Sequence, residues 1–319
     1  MFNNNMKKEI KPNKKGYLKV DDIHKIYWEQ WGNPNGIPVV YLHGGPGGSF
    51  SYSSTRFFNL KKYCVTLFDQ RGCGKSQPKF SLKNNTTQNL IEDINKLRIF
   101  LKIEKWLVFG GSWGSTLGLA YAIKYFNNVT GLILRGIFLG RPKDWDWLIE
   151  SNGIAQMFPE KYNMFIKNIP LEKQKNIKEW YYKKLNSKNK NEQIIFGTQW
   201  SKWETSLLFF NKEINFTSNP KDDYQIALME CHYAINNTFF DDENYILNNV
   251  HLIKNKPCWL IHGEFDYICP PSNAYELNKK MKNSKLIYVK NSGHSSSEPK
   301  IFKTLKKVTN EFVNLIKVF

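Results

Sequence analysis

The chain has 319 residues, of which 41% are hydrophobic, so it can bury one large core and still carry an inserted segment. It has no run of roughly 18 apolar residues, as a membrane-spanning helix needs, and its first segment, MFNNNMKK, lacks the apolar core of a signal peptide. The net charge of +18 comes from lysines spread along the chain without an arginine-rich cluster, which argues against a nucleic-acid partner. Five scattered cysteines are typical of reduced thiols, so we expect a cytoplasmic protein with no membrane partner.

The N-terminal part of the chain predicts a hairpin followed by a strand and a glycine-rich loop. Residues 17–31 resemble a hairpin, and an apolar strand at 38–42 leads into residues 43–48, His-Gly-Gly-Pro-Gly-Gly. Glycine backbone can point its N–H groups into a site without a side chain in the way, so the loop is a candidate for stabilising an anion. A tight turn or a phosphate cradle is also compatible with it, although the Gly-Lys-Ser/Thr ending of a P-loop is missing.

The strongest signal is a serine between a strand and a helix. The apolar strand 106–109 runs into Ser112, the centre of Gly-Gly-Ser-Trp-Gly, and an amphipathic helix is predicted over residues 115–124. Such glycines let a strand turn directly into a helix with the serine in a strained conformation. This pattern is typical of a nucleophile elbow, in which the N–H groups of Trp113 and of an earlier loop residue, here Gly45, form an oxyanion hole.

The composition changes after the next strand. From about residue 141 to 240 the chain reads as polar and aromatic helical segments with Lys- and Asn-rich connections. We therefore expect two parts of one α/β core, residues 1–140 and 241–319, with a helical cap at 141–240 between them.

Two glutamates in this predicted cap have apolar neighbours. Glu204 follows Trp200 and Trp203, and Glu230 lies in the segment Met-Glu-Cys-His-Tyr. Both are also compatible with ordinary solvated positions on helices.

Two later strands supply the acid and base that a serine nucleophile needs. The apolar strand 258–263 is followed by Asp266, and the strand 285–290 is followed by His294. Carboxyl ends of parallel strands share one edge of a sheet, where Ser112 is also expected. Glu264 is the alternative acid, but Asp266, with its shorter side chain ahead of the Pro270-Pro271 stop, is the better candidate.

His294 is also weighed against the other histidines. His43 and His262 both follow strands, but each precedes a glycine and is better suited to shaping the floor of the site. We therefore predict that Ser112, Asp266 and His294 form a catalytic triad.

Taken together, these segments resemble the proline iminopeptidases, a family of aminopeptidases among the α/β hydrolases. The resemblance implies a mostly parallel central sheet flanked by helices, and a serine enzyme that releases an N-terminal residue, preferentially proline, through an acyl-enzyme. The segments that carry it span most of the chain: 43–48, 69–76 (Asp-Gln-Arg-Gly-Cys-Gly-Lys-Ser), 110–115, 135–138, 200–204, 263–266 and 292–294.

The resemblance also implies how the substrate is held. Glu204 and Glu230 are expected to bind the free amino group, because a buried ammonium needs carboxylates to replace its lost hydration. Phe138 is expected in the substrate pocket.

The chain departs from the family pattern at the pocket. Ala234, Leu148 and Ile149 stand where aromatic residues are usual, so we expect a weaker preference for proline over alanine.

Other functions remain open at this stage. A carboxylesterase of broad specificity would use the same triad, and a non-catalytic receptor could share the fold. Dehalogenases and epoxide hydrolases are disfavoured because they generally use Asp where this chain has Ser112. The sequence predicts no metal or organic cofactor and short peptides with a free N-terminus as substrates; it leaves the oligomeric state open.

Overall fold

The computed structural model describes residues 11–316, so the initial segment in which no signal peptide is expected lies outside the described residues. The described part forms eight strands and ten α-helices, joined by short 3-10 turns. The strands are β1 (Lys14–Lys19), β2 (Lys25–Gly32), β3 (Ile37–Leu42), β4 (Tyr63–Phe68), β5 (Trp106–Ser112), β6 (Val129–Ile137), β7 (Cys258–Gly263) and β8 (Ser284–Val289). The helices are α1 (Thr87–Phe100), α2 (Trp113–Lys124), α3 (Pro142–Ile149), α4 (Pro159–Ile166), α5 (Ile177–Leu185), α6 (Lys190–Thr205), α7 (Pro220–Ile235), α8 (Tyr245–Asn249), α9 (Pro271–Lys280) and α10 (Pro299–Ile316).

All eight strands belong to one sheet in the order β1-β2-β4-β3-β5-β6-β7-β8. The hairpin expected at residues 17–31 is the antiparallel β1–β2 pair, and β2 also runs antiparallel to β4. Every later pairing is parallel, so the carboxyl ends of β3, β5, β7 and β8 lie at the same edge. The predicted α/β-hydrolase fold, with a mostly parallel sheet flanked by helices, is confirmed.

Two apolar layers cover the sheet. On one face, α1 and α2 pack over residues such as Trp106 and Leu132, and this core continues into the helices that follow β6. On the other face, α10 packs Phe312 against Trp259, with ring centroids 5.9 Å apart. Each fully buried side chain of this kind contributes about 1.5–3 kcal/mol by leaving water, which makes the sheet a rigid platform.

Helix α2 differs from its prediction. It begins at Trp113 rather than at Ser115, and every residue from Trp113 to Ile123 is buried. It is therefore not amphipathic, because α1 and α8 cover the sides that the sheet leaves free. The serine that precedes it is held by a helix with almost no exposed surface.

The described chain between β6 and β7 contains helices and no strand. The helices α3 to α7 lie where the sequence predicts a cap, whereas α8 falls just after it, and α6 packs along α7. The division into two core parts and a cap stays a prediction. Within residues 11–316, no helix has both the length and the apolar character needed to cross a membrane.

Candidate active site

Ser112 occupies a strained turn between β5 and α2. Its φ of 56° and ψ of −128° lie outside the regions that L-residues favour, and Trp113 starts the helix directly after it. A Cβ at Gly110 would lie 2.2 Å from the carbonyl oxygen of Gly114, so side chains are excluded where strand and helix meet. The turn leaves Ser112 half-buried at the carboxyl end of β5, where its hydroxyl can meet a ligand.

His294 and Asp266 form a buried pair beyond the ends of β8 and β7. His294 Nδ1 lies 2.9 Å and 2.8 Å from the two carboxylate oxygens of Asp266. Backbone N–H groups of Ile268 and Cys269 also donate to Asp266 Oδ1, at 3.1 Å and 2.9 Å. Burial opposes ionisation of Asp266, but the His294 contact and the backbone donors outweigh it and hold its pKa below the ordinary value. The carboxylate thus fixes the histidine ring with Nδ1 protonated.

The other ring nitrogen of His294 faces Arg135, a half-buried arginine. Arg135 Nη1, from β6, lies 3.1 Å from His294 Nε2 and donates to the His294 carbonyl oxygen at 2.8 Å. Burial lowers the pKa of His294, and the positive charge of Arg135 adds to this while Asp266 opposes it. With Nδ1 on Asp266, Nε2 is the acceptor nitrogen, and Arg135 Nη1 is its partner in the described structure. The strand residue Arg135 was missed by sequence reasoning, although a cation in an apolar strand was the available signal.

Ser112 is not yet bonded to this histidine. No hydrogen bond between Ser112 and His294 occurs in the described structure, where Nε2 faces Arg135 Nη1 instead. Ser112 has to replace Arg135 at Nε2 before the histidine can accept its proton. Catalytic hydrogen bonds are often loose without substrate and tighten when it binds.

The alternative acid and bases have other partners. Glu264 is exposed and accepts a hydrogen bond from the Asn291 backbone. His43 Nε2 accepts from Gln70 N at 3.0 Å, and His262 Nδ1 accepts from Ile137 N at 3.0 Å. The structure therefore brings Asp266, rather than Glu264, to His294.

The glycine-rich loop lies against the elbow. Gly45 has a φ of 107°, which a residue with a side chain rarely adopts, and it borders the same pocket as Ser112. Trp113 N–H belongs to the first turn of α2, where backbone donors have no partner within the helix. The two predicted oxyanion-hole donors thus flank the predicted nucleophile.

One glutamine that sequence reasoning missed connects the loop to the elbow. Gln70 Oε1 accepts from Trp113 Nε1 at 2.8 Å, while Gln70 Nε2 donates to the His43 carbonyl oxygen at 3.0 Å. On the other side, Gln225 of α7 donates to the Gly47 carbonyl oxygen at 2.6 Å. Side-chain amides therefore fix the loop on both faces. These contacts join residues that are far apart in sequence, so the sequence alone does not show them.

Glu204 of α6 and Glu230 of α7 meet above the serine. The two carboxylates border the same pocket and interact electrostatically, and Trp200 Nε1 donates to Glu230 Oε2. Burial raises the pKa of Glu204 to about 7. Burial and the neighbouring Glu204 charge raise the pKa of Glu230 well above its ordinary value. Two close carboxylates repel each other when both are ionised. A positively charged ligand between them would offset this repulsion.

The space between the serine and this pair is a small pocket. Phe138, the predicted pocket residue, stacks edge-on against Trp145, with ring centroids 4.9 Å apart. Sequence reasoning did not predict Trp145, because the direction in which α3 presents it depends on tertiary packing. The lining side chains include Phe138, Trp145, Leu148, Ile268 and Cys269.

Of the three departures from the family pattern, only Leu148 lies on the pocket wall. Ala234 is buried in α7, and the Ile149 carbonyl accepts a hydrogen bond from Tyr162.

Three potential metal ligands also come together here. Ligand atoms of Asp266, Cys269 and His294 lie within 4.8 Å of one another, a grouping that the linear sequence does not show. Burial raises the pKa of the Cys269 thiol well above its ordinary value, which favours the protonated form, whereas a metal binds the thiolate. His294 Nδ1 is committed to Asp266. The donor set thus fits hydrogen bonding better than metal coordination.

Comparison with known proteins agrees with this geometry. The family model for the α/β hydrolase fold matches residues 37–300. A proline iminopeptidase of Arabidopsis thaliana is 43% identical over 92% of this chain and 78% of its own. A probable proline iminopeptidase of Leptolyngbya boryana is 41% identical over 95% of each chain.

Solved structures show how widely the fold is shared. An esterase from Exiguobacterium antarcticum superposes with a TM-score of 0.62 at 19% identity, covering 94% of this chain and all of that one. The fold alone therefore does not separate esterases from peptidases. Sequence similarity over almost the whole chain does: this chain belongs to the proline iminopeptidase family of α/β hydrolases.

Proposed function

We propose that this chain is a serine aminopeptidase that releases N-terminal residues, preferentially proline, from peptides. The observation that carries the proposal is the pairing of half-buried Glu204 with buried Glu230 above Ser112, with no cation between the carboxylates among the described residues. A free N-terminal ammonium supplies that cation.

The reaction starts with proton transfer from Ser112. In this proposal His294 Nε2 accepts the hydroxyl proton while the oxygen attacks the carbonyl carbon of the first residue. Asp266 stabilises the imidazolium that results. The N–H groups of Gly45 and Trp113 hold the oxyanion, and each such donor contributes on the order of 3 kcal/mol.

Collapse of the tetrahedral intermediate expels the rest of the peptide. His294 gives its proton to the leaving amine, and an acyl-enzyme on Ser112 remains. Water, activated by His294, then hydrolyses the ester. No step requires a metal or an organic cofactor.

Glu204 and Glu230 select the substrate's end. The ammonium lies between the two carboxylates, and its charge favours ionisation of both. The first residue's side chain then packs against Phe138, Trp145 and Leu148. Because aliphatic Leu148 stands where an aromatic residue is usual, we propose a modest preference for proline over alanine.

The proposal also covers the substrates and the cellular setting. We propose short peptides with a free N-terminus as substrates, a cytoplasmic location, and no nucleic-acid or membrane partner. The five cysteines are all free and buried, which fits a reducing compartment.

The main alternative is a carboxylesterase on the same triad. It shares Ser112, His294 and Asp266 but has no use for two carboxylates that hold a cation. Requirement for a free amine therefore separates the two functions.

The test compares wild type with Ser112→Ala on prolyl- and alanyl-β-naphthylamide and on a short-chain ester. Ser112→Ala keeps the Cβ in the strained turn, so it removes only the hydroxyl. We expect it to abolish both activities by at least about 10⁴-fold. Ser53→Ala, at an exposed serine, is the matched control and should keep wild-type rates. Amide hydrolysis retained in Ser112→Ala would contradict the proposed nucleophile.

A further inference from the structure

The chain that leaves α6 folds directly onto the loop that carries His294. We call residues 207–210 the junction segment, since it follows the helix of Glu204. The Leu208 carbonyl oxygen accepts hydrogen bonds from the backbone N–H groups of His294 at 3.0 Å and Ser295 at 2.8 Å. The backbone of His294, the predicted base, is therefore hydrogen-bonded by the segment that follows the helix of Glu204.

A single carboxylate oxygen completes this contact. Glu298 Oε1 accepts from Gly293 N at 2.8 Å and from Phe210 N at 2.9 Å. Gly293 precedes His294, and Phe210 ends the junction segment. Glu298 is 8% exposed, so water competes little for these two hydrogen bonds.

The backbone of Glu298 is itself fixed by hydrogen bonds. Its N–H donates to the Ser295 carbonyl oxygen at 3.1 Å, and its own carbonyl oxygen accepts from Phe302 N at 2.8 Å in α10. Its backbone is thus fixed on both sides, so the carboxylate can hold two other segments in place.

The junction segment also contacts the loop of the predicted acid. The rings of Phe210 and Phe265 stack with centroids 4.2 Å apart and planes inclined by 12°. Phe265 precedes Asp266. The same segment therefore contacts both loops that carry the histidine–carboxylate pair.

We propose that Glu298 is a positioning residue, which keeps His294 in register with the elbow by joining Gly293 and the junction segment through one carboxylate oxygen. Displacement of a reacting group by about 1 Å lowers the rate roughly a hundredfold. Loss of the Glu298 contact should therefore slow the reaction at Ser112. The link to substrate binding at Glu204 rests on the proposed function, whereas the positioning of His294 does not.

The test uses Glu298→Ala and Glu298→Gln. Gln keeps an acceptor oxygen at the same distance, and Ala removes it. Glu311→Ala, at an exposed position in α10, is the matched control. The first readout is the rate at which a fluorophosphonate labels Ser112, since this reaction needs the serine and its base but no amino group. The second is kcat and KM for prolyl-β-naphthylamide, with thermal unfolding measured for each variant.

We expect Glu298→Ala to slow labelling and lower kcat by about tenfold or more, with KM changed much less. Glu298→Gln should recover most of the rate, and Glu311→Ala should equal wild type. Labelling of folded Glu298→Ala at the wild-type rate would overturn the proposal. So would a Glu298→Gln variant as slow as Glu298→Ala, because the acceptor oxygen would then be irrelevant.

Gly293→Ala tests the same contact if Glu298→Ala does not fold. The new Cβ would lie 2.7 Å from Phe210 N, so it forces the His294 loop and the junction segment apart. Slow labelling supports the proposal, and wild-type labelling overturns it. The labelling pattern is independent of peptide hydrolysis. A wild type that labels normally but does not cleave prolyl-β-naphthylamide therefore refutes the proposed function alone.

Discussion

At the scale of single residues, burial sets the charge of the pocket before substrate arrives. Glu204 has its pKa raised to about 7, and Glu230 is raised well above its ordinary value by burial and by Glu204. Burial and the neighbouring charge thus disfavour ionisation of both carboxyl groups in the empty pair. A bound ammonium favours the doubly ionised form, so binding and deprotonation are linked.

This linkage predicts different pH profiles for amine and ester substrates. A carboxylate binds ammonium only when ionised, so kcat/KM for prolyl-β-naphthylamide should rise with pH through about 7. An ester needs only neutral His294, and burial and Arg135 hold the pKa of His294 below its ordinary value, so the ester profile should level off at a lower pH than the amine profile. Steady-state kinetics from pH 5 to 9 measures both. Identical profiles for the two substrates would contradict a binding role for Glu204.

Single residues also show what sequence could predict. Ser112, Asp266 and His294 each follow a strand, and parallel strands bring their carboxyl ends to one edge, so their proximity follows from order along the chain. Arg135 and Glu298 could not be found in this way. Their roles depend on which atoms face them across the fold, and sequence patterns carry no such distances.

At the scale of elements, the α6–α7 pair builds the amine site. Trp200 of α6 donates its indole N–H to Glu230 of α7, which favours the ionised carboxylate. The same helix pair also contacts the glycine-rich loop of Gly45, since Gln225 of α7 donates a hydrogen bond to the Gly47 carbonyl oxygen. The family resemblance implied that the two glutamates bind one amino group, but the Trp200–Glu230 hydrogen bond was not predicted, because helix orientation in the cap region is decided by tertiary packing.

Removal of this indole donor should weaken amine binding. Trp200→Phe leaves an aromatic ring but deletes the hydrogen bond, so the pKa of Glu230 rises further and the pair ionises less readily. We expect KM for prolyl-β-naphthylamide to rise about tenfold or more, with ester hydrolysis almost unchanged.

Trp180→Phe provides the matched control for this substitution. Trp180 lies in α5, and its indole N–H has no hydrogen-bond partner among residues 11–316. Equal effects of the two substitutions on KM would show that ring volume, rather than the hydrogen bond, is responsible.

At the scale of the whole molecule, the order of strands and helices was predictable, while the surroundings of each element were not. The strand over 258–263 coincides with β7, because an apolar run in a parallel sheet is buried on both faces. Helix α2 was expected to be amphipathic, but the sheet and the neighbouring helices together cover it on all sides. Likewise, Trp145 reaches the pocket through the packing of α3, a tertiary effect without a sequence signal.

The central claim is that two carboxylates make this serine hydrolase specific for a free N-terminus. The most direct measurement is kcat/KM for prolyl-β-naphthylamide, its N-acetylated form and a short-chain ester, for wild type and Glu204→Gln. Glu172→Gln, at an exposed glutamate in the cap region, is the control. Each enzyme should be shown to be folded by thermal unfolding.

We predict that wild type cleaves the free substrate at least about a hundredfold better than the acetylated one. Glu204→Gln should lose about a hundredfold or more on the free substrate, since breaking a buried charge contact costs roughly 2–5 kcal/mol, and keep its ester activity. Equal cleavage of free and acetylated substrates, with no effect of Glu204→Gln, would contradict the account and indicate a general esterase.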